Sequence, residues 1–298
     1  MMVRYIQNDG LYSMYHLLMA YDIMKRKRGC LLLMSKEQDA LYMVVKDNEL
    51  IQRASYNLTA EQQKFLCYVI SKIKMTDQEF QRYEISILDF AQLIGIDKKN
   101  AYRDFKRMVD DFNLNTGRWI KINDDVIYFR VFSEAEYNER KGSVTVVLNS
   151  RLKKYLLGLG KGHYTQYELW NIISLKKKYS IRLYEIFKSY SYKENIEISV
   201  DDLRSLLCCE SYEVFAMFKK RILDESVNEI NEKTNLNISF DVIKHGKEHK
   251  AKSIVFHIKQ KRSLEAYKTY MKTVNEINKK NNQIEGQISL FDFKEEDF

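Results

Sequence analysis

A long internal repeat constrains this chain more than any other feature. Glu84-Ile85-Ser86 returns as Glu197-Ile198-Ser199, 113 residues later, and the register then continues without a gap. Asp89 falls on Asp202, Phe90 on Leu203, Leu93-Ile94 on Leu206-Leu207, Phe105-Lys106-Arg107 on Phe218-Lys219-Lys220, and Val109 on Ile222. Polar, apolar and basic classes stay in phase over about 26 positions. A single tripeptide match would mean little, but a sustained register argues for two copies of one unit. A period this long exceeds the roughly 20–50 residues of solenoid repeats. The copies are therefore tandem domains, and 298 residues suffice for two separate cores.

Each copy carries the same order of elements. In the first, Thr59-Ala-Glu-Gln62 fits a capping box, and Phe65, Leu66, Val69, Ile70 and Ile73 recur at helical spacing. A short strand around Tyr83 to Ser86 leads into a helix from Ile87 to Ile94, which Gly95 stops. A third helix spans Asn100 to Phe112, with Tyr102, Phe105, Val109 and Phe112 on its inner face. Alternating runs Trp119 to Ile122 and Val126 to Phe132 follow, joined by the turn signal Asn123-Asp124-Asp125. The second copy reads as a helix from Ile181 to Tyr190, a short one from Asp201 to Leu207, a long one from Tyr212 to Asn231, and a hairpin pairing Leu236 to Ile243 with Ser253 to Lys259. Helix, strand, helix, turn, helix and two-stranded wing is the winged helix-turn-helix order, which sets the third helix into a DNA major groove. The expected fold is α+β, two such domains in tandem. The expected divisions are an N-terminal extension (1–43), winged-helix domains at 44–149 and 150–262, and a C-terminal helix, linker and tail (263–298).

Charge agrees with that use. Lys plus Arg number 49 against 41 Asp plus Glu, and the last twelve residues hold one Lys against four acids, so the remainder carries +11. Such an excess favours polyanions. The chain has no proline where about fifteen would be usual, which with abundant Lys, Asn, Ile and Tyr reads as coding bias. Cys30, Cys67, Cys208 and Cys209 form no CxxC, so neither a disulfide framework nor a zinc site is indicated and a reducing cytoplasm is expected. Leu11 to Met24 is interrupted by Asp22 and followed by Lys25-Arg26-Lys27-Arg28, the wrong order for a signal peptide and too short for a span. Two readings of this region stay open: an amphipathic membrane-surface helix, or translation that starts at Met34.

On the first copy's third helix, Asn100, Arg103 and Arg107 lie outward with Lys99 and Lys106 at the flanks; Asn and Arg can bond bidentately to adenine and guanine edges. On the second, Phe215, Phe218 and Ile222 form the inner stripe, Lys220 and Arg221 point away with Met217, and Lys219 sits at the flank. The competing reading of each outer face is plain solvation. The Asn123-Asp124-Asp125 wing is acidic, whereas the second wing carries Lys244, Lys247, Lys250 and Lys252, so the second domain is expected to supply more backbone affinity.

No catalytic constellation emerges. Gly158-Leu-Gly160-Lys161-Gly162 lacks the spacing of a P-loop and the hydroxyl residue that follows its lysine. His16, His163, His245, His249 and His257 supply no His-x-His, and His245 and His249 flank a glycine turn better suited to a loop than to a metal. Neither a cofactor, a metal site nor catalysis is expected.

Several segments resemble the Rep_3 family of plasmid replication initiators. Asn48-Glu-Leu-Ile-Gln-Arg-Ala-Ser-Tyr-Asn-Leu-Thr59 with Glu61-Gln62-Gln63-Lys64 resembles the family's opening. Tyr179-Ser-Ile-Arg-Leu-Tyr-Glu-Ile186 is similar to its signature helix, and Phe218-Lys-Lys-Arg-Ile-Leu223 with Asn228-Glu-Ile-Asn231 to its recognition-helix segment. Ser226 stands near where many members have proline. The resemblance covers about Lys46 to Lys259. It implies a monomer that binds repeated origin sequences (iterons) in double-stranded DNA, helps melt the adjacent duplex and recruits host replication proteins such as the replicative helicase. It also implies a monomer–dimer equilibrium in which the dimer represses its own promoter. A rolling-circle nickase and a tandem winged-helix transcription repressor remain as alternatives.

Beyond the second domain, Ser263 to Asn278 reads as an amphipathic helix with Leu264, Tyr267, Tyr270, Met271, Val274 and Ile277 on one side. A polar linker is expected from Lys279 to Gly286. The following Gln287-Ile288-Ser289-Leu290-Phe291 resembles the pentapeptide by which bacterial proteins dock on the replicative sliding clamp, with packing onto the second domain as the rival reading.

Overall fold

The computed structural model describes residues 42–74, 76–114, 120–122, 129–160, 163–245 and 250–291. The chain enters through β1 (Met43–Asp47), α1 (Asn48–Gln52) and β2 (Ala54–Tyr56). The first copy follows as α2 (Ala60–Ile70), β3 (Tyr83–Ser86), α3 (Ile87–Ile94), α4 (Lys98–Leu114), β4 (Ile120–Ile122), β5 (Phe132–Asn138) and β6 (Ser143–Leu148). A connector holds a 3-10 turn (Ser150–Leu152), α5 (Lys153–Leu156), β7 (Tyr164–Glu168) and α6 (Trp170–Ile173). The second copy runs α7 (Lys178–Ser189), β8 (Asn195–Ser199), α8 (Val200–Leu206), α9 (Phe215–Phe218), a π-helical stretch (Lys219–Asp224), α10 (Glu225–Lys233), β9 (Leu236–His245) and β10 (Lys250–Gln260), and α11 (Ser263–Phe291) closes the chain.

The repeat seen in the sequence is a repeat of topology. The two three-stranded sheets have the orders β3-β6-β5 and β8-β10-β9, so in each copy the first strand pairs antiparallel with the last. Local chemistry repeats as well. Ser86 caps α3 by accepting from the Asp89 amide, and Ser199 caps α8 by accepting from the Asp202 amide. Ser143 donates to Glu84 Oε1 at 2.9 Å, and its counterpart Ser253 donates to Glu197 Oε1, each across the central strand pair. Thr59 makes the capping box with Gln62, and Gly95 ends α3 in the left-handed region at φ 75°, where a side chain would be strained. The first core is aromatic: Phe65 meets Phe90 at 5.2 Å and Phe105 at 5.0 Å, both edge-on, with Phe132 at 5.7 Å. In the second, Phe187, Phe240 and Phe256 cluster between helix and sheet.

Several expectations need correction. The hairpin that completes the first sheet is β5–β6, joined through Glu139–Gly142, not a hairpin about Asn123-Asp124-Asp125. Those three residues lie outside the described residues, and β4 before them pairs with β2 instead. The Asn-Asp-Asp turn signal outweighed a better one: β-branched alternation from Ser143 to Leu148 behind Gly142, whose φ is 62°. Tyr102 is not on the inner stripe of α4, because Ala101 fills that place and Tyr102 is 45% exposed. The long helix of the second copy contains a π-helical stretch. The expected polar linker is helical, since α11 continues to Phe291 through Lys, Gln and Glu, which favour helix, against Asn281, Asn282 and Gly286, which do not. The readings of residues 1–41 lie outside the described residues.

A further sheet crosses the chain between the copies. β1 pairs antiparallel with β7, from Met43 opposite Glu168 to Asp47 opposite Tyr164. Beneath it lies a buried polar cluster centred on α7. Glu185 accepts from Lys46 Nζ at 2.6 Å, from Tyr56 Oη at 3.0 Å and from Tyr167 Oη. Arg182 donates to the carbonyls of Ile51 (2.5 Å) and Ala54 (2.6 Å) and stacks over the Tyr56 ring. Burial pulls the Lys46 ammonium down, but Cys67, Glu185 and Tyr56 lift it by more, so its pKa ends above the usual lysine value. Burial likewise raises Glu185, yet Lys46 and Arg182 outweigh it and hold the carboxylate below its usual range. Cys67, pushed up to about 11 chiefly by burial, is a neutral thiol at pH 7, so Glu185 is the negative partner there. Arg182 and Glu185 belong to the segment 179–186 that stood out in the sequence, and they fasten the second copy's first helix to the entry strands of the first.

Candidate nucleic-acid interface

The helix-turn-helix of the first copy is α3–α4. Its turn is held by Asp97, whose side chain accepts from the Lys99 amide at 2.9 Å and whose carbonyl accepts from Asn100 at 3.1 Å. Phe105 and Val109 anchor α4 in the core, at 4% and 0% exposure. That anchoring turns Lys99, Arg103, Lys106 and Arg107 to solvent, with Asn100 half-buried between them. Arg103 is paired with Asp104 at 3.0 Å, and both are exposed.

The wing of this copy is latched to α4. Tyr137 on β5 donates to the Lys106 carbonyl at 2.9 Å, and Lys106 lies over the Tyr137 ring. At the wing turn the Tyr102 hydroxyl sits where a Cβ on Gly142 would come within 2.4 Å. Arg140 and Lys141 are exposed on this turn, two basic residues that sequence reading missed; Gly142 before the alternating run was the signal that would have found them. The tip of the first wing therefore carries two basic residues, but its hairpin also exposes Glu134, Glu136 and Glu139, and Lys141 pairs with Glu84 at 3.6 Å. On the second wing Lys244, Lys250 and Lys252 are exposed, while Lys247 lies outside the described residues.

In the second copy the turn between α8 and α9 is pinned by Arg204, which donates to the Glu213 carbonyl at 2.9 Å and lies over the Phe218 ring. Phe218 and Ile222 are buried, and Lys220 and Arg221 are exposed on the opposite side, as the spacing predicts. Lys219 differs from its expected free flank position: it is half-buried, ion-paired with Asp224 at 2.7 Å and set over the Phe240 ring. The π-helical stretch covers Lys219, Lys220 and Arg221, and such irregular turns are frequent at functional sites.

Each copy thus offers an exposed basic third helix beside a hairpin that exposes basic residues, Arg140 and Lys141 among Glu134, Glu136 and Glu139 in the first copy and Lys244, Lys250 and Lys252 in the second, an arrangement that can contact base edges and phosphates together. Among the described residues no group of three or more His, Cys, Asp or Glu is placed to hold a metal ion, and no helix is long and apolar enough to cross a membrane. The backbone of the clamp-like segment ends α11.

Comparison with known proteins accords with this geometry. The description of the first winged helix of an initiator replication protein matches residues 43–188, and that of the second winged helix of an initiator Rep protein matches residues 199–258. The chain is 26% identical over 212 residues to a replication initiation protein of Escherichia coli, an alignment covering 67% of this chain and 65% of that protein. It is 27% identical over 221 residues to an uncharacterized 27.6 kDa protein of Escherichia coli, covering 68% of this chain and 91% of that one. The chain therefore spans just under two thirds, 65%, of the length of the first of these relatives. Among solved structures, the Pi initiator protein in complex with iteron DNA is similar, with a TM-score of 0.57, 19% identity, and coverage of 74% of this chain and 97% of that one. That likeness is one of fold.

Proposed function

This chain belongs to the initiator replication protein family with two winged helices, and on that premise we propose that it starts plasmid replication by binding direct repeats in origin DNA. One observation carries the reading: two topologically identical winged helices each present an exposed basic third helix, α4 and α9–α10. Two linked readers of one design suit a target in which two major grooves are met on one DNA segment. Arg103, Arg107 and Asn100 in the first domain, and Lys220 and Arg221 in the second, are assigned to the grooves. Lys99, Lys106, Lys219, Arg140, Lys141, Lys244, Lys247, Lys250 and Lys252 are assigned to phosphates. The protein acts by binding, in the cytoplasm, without catalysis, as a monomer at the origin and as a dimer at its own promoter.

The experiment is a gel-shift titration at fixed salt with direct repeats from DNA flanking the gene, spaced about two helical turns. Tight, repeat-dependent binding supports the reading. Metal-dependent strand cleavage abolished by one tyrosine substitution would replace it with a nickase. A single operator with no replication from the repeats would replace it with a repressor.

Host proteins enter through the tail. Gln287, Ile288, Ser289, Leu290 and Phe291 are assigned to the sliding clamp, with Leu290 and Phe291 filling an apolar pocket. A peptide spanning residues 283–298 should bind purified clamp near micromolar Kd, about −8 kcal/mol. Replacing Leu290 and Phe291 by Ala should abolish that binding while leaving repeat binding by the full chain intact.

A further inference from the structure

The two recognition helices differ in chemistry at positions that the repeat sets in register. On α4 the outward residues are polar or charged. In the second copy, Arg103 falls on Ala216 and Asp104 on Met217, and both apolar residues are exposed, Met217 at 47%. Val214, immediately before α9, is 63% exposed, whereas its counterpart Ala101 is 1% exposed in the first core. The cause is local: α4 begins at Lys98, before Ala101, but α9 begins only at Phe215, so Val214 stays outside the helix at its mouth.

None of these three side chains can donate a hydrogen bond, and only the Met217 thioether can accept one, weakly; they occupy the N-terminal end of the helix, the end that meets base edges in helix-turn-helix proteins. They are held in place: the Val214 carbonyl accepts from the Met217 and Phe218 amides at 3.0 and 3.1 Å, and Arg204 ties down the preceding Glu213. Lys220 and Arg221 lie exposed just beyond, so whatever covers the patch is anionic around an apolar spot. In a major groove the apolar group on a base edge is the thymine C5-methyl. We propose that Val214, Ala216 and Met217 form a reader of thymine methyl groups. The second domain would then select thymine by shape and apolar contact, and the first would select bases by hydrogen bonds. The inference rests on the DNA-binding reading above.

The test uses the full chain and a random-sequence duplex library, from which bound sites are enriched. Each thymine of the enriched site is then replaced singly by deoxyuridine, which removes the methyl and nothing else. Wild-type protein should lose about fourfold in affinity at one or more positions within one half of the site, the worth of one buried methyl group. The double variant Val214→Ala, Met217→Ala should bind the thymine duplex more weakly by at least that factor and show no further loss with deoxyuridine. Met217→Leu, which keeps an apolar contact, should retain the penalty, and so should Arg103→Ala. Thermal unfolding of the double variant should match wild type, because both sites are exposed. Equal wild-type binding to thymine and deoxyuridine duplexes overturns the inference, and so does an undiminished penalty in the double variant. Failure to enrich any site overturns the DNA-binding reading itself, and with it this one.

Discussion

Glu185 accepts hydrogen bonds inside the fold from Lys46 on β1, Tyr56 on β2, Tyr167 on β7 and the Cys67 thiol on α2, and its charge balances the buried cations beside it. Glu185→Gln should leave the Lys46 ammonium and the Arg182 guanidinium buried without a counter-charge, at a cost of about 3–5 kcal/mol. Urea unfolding with unchanged m-value checks it. The pH dependence follows from the directions of the two shifts. The Glu185 carboxylate sits below its unfolded value, so its contribution is present above the ordinary carboxylate range and is lost as pH falls through the folded value. Lys46 sits above its unfolded value, so its contribution is complete below the ordinary lysine pKa and lost only as pH rises through the folded one. Wild type and Glu185→Gln should therefore differ most in the neutral range and converge in acid; a difference independent of pH between neutrality and strong acid would refute this account. Gly142 carries a different constraint. With φ at 62°, Gly142→Ala should cost about 1–2 kcal/mol, and its methyl would swing the Tyr102 ring off the wing turn. Binding to the repeats should weaken with it, because Arg140 and Lys141 ride on that turn; unchanged affinity would show that the first wing stands clear of DNA.

The reading helices are the elements on which specificity turns. Arg107→Ala, and separately Lys220→Ala or Arg221→Ala, should weaken repeat binding, and a lost guanine contact is worth about 1–3 kcal/mol, roughly 5- to 150-fold. Arg103→Ala should weaken it somewhat less, since its pair with Asp104 must open first, though an exposed pair gives up only about 0–1 kcal/mol. A gel-shift in which all four changes leave affinity intact would reverse the proposed orientation of both helices. These outward faces were legible in the sequence because they are set by local rules. The Thr59 and Ser86 caps, the Gly95 stop and the spacing of Phe105 and Val109 are short-range signals that tertiary structure had no reason to override. The first wing was not legible in the same way. β5 and β6 are defined by pairing with each other and with a strand some sixty residues earlier, and the Glu139–Gly142 turn lacks the Asn-Asp richness that drew attention to 123–125. The buried role of Arg182 and Glu185 was also hidden. Nothing in the helix's own sequence marks them as buried, and their partners, Lys46, Ile51 and Ala54, lie more than a hundred residues away. The exposed Val214 and Met217 were half visible: Met217 was placed outward by periodicity, but Val214 is exposed because α9 begins only at Phe215, a start that no short-range signal in the sequence marks.

At the scale of the whole molecule the question is what keeps two readers at one spacing. Besides the α7 cluster, α11 does so, because it lies against α3 of the first copy and against α6 and α10 beside the second. Ala266, Tyr270 and Val274 are its buried face, Tyr270 meets Trp170 edge-on at 5.6 Å, and Lys272 reaches Glu232 at 3.0 Å. A helix that touches both domains converts the second contact with DNA into an intramolecular one at a fixed distance, which raises overall affinity without any new contact. Tyr270→Ala should remove that hold. The loss of a buried aromatic costs about 3–5 kcal/mol where it is fully packed, measurable in urea. The diagnostic readout is DNA: affinity for a half-site read by one domain should stay within about twofold of wild type, since no recognition residue changes. Affinity for the full repeat should fall by more than tenfold, because the two domains then search for their grooves independently. Equal losses on half-site and full repeat would mean that α11 only stabilises the second domain, and no loss on either would mean that the α7 cluster alone sets the spacing.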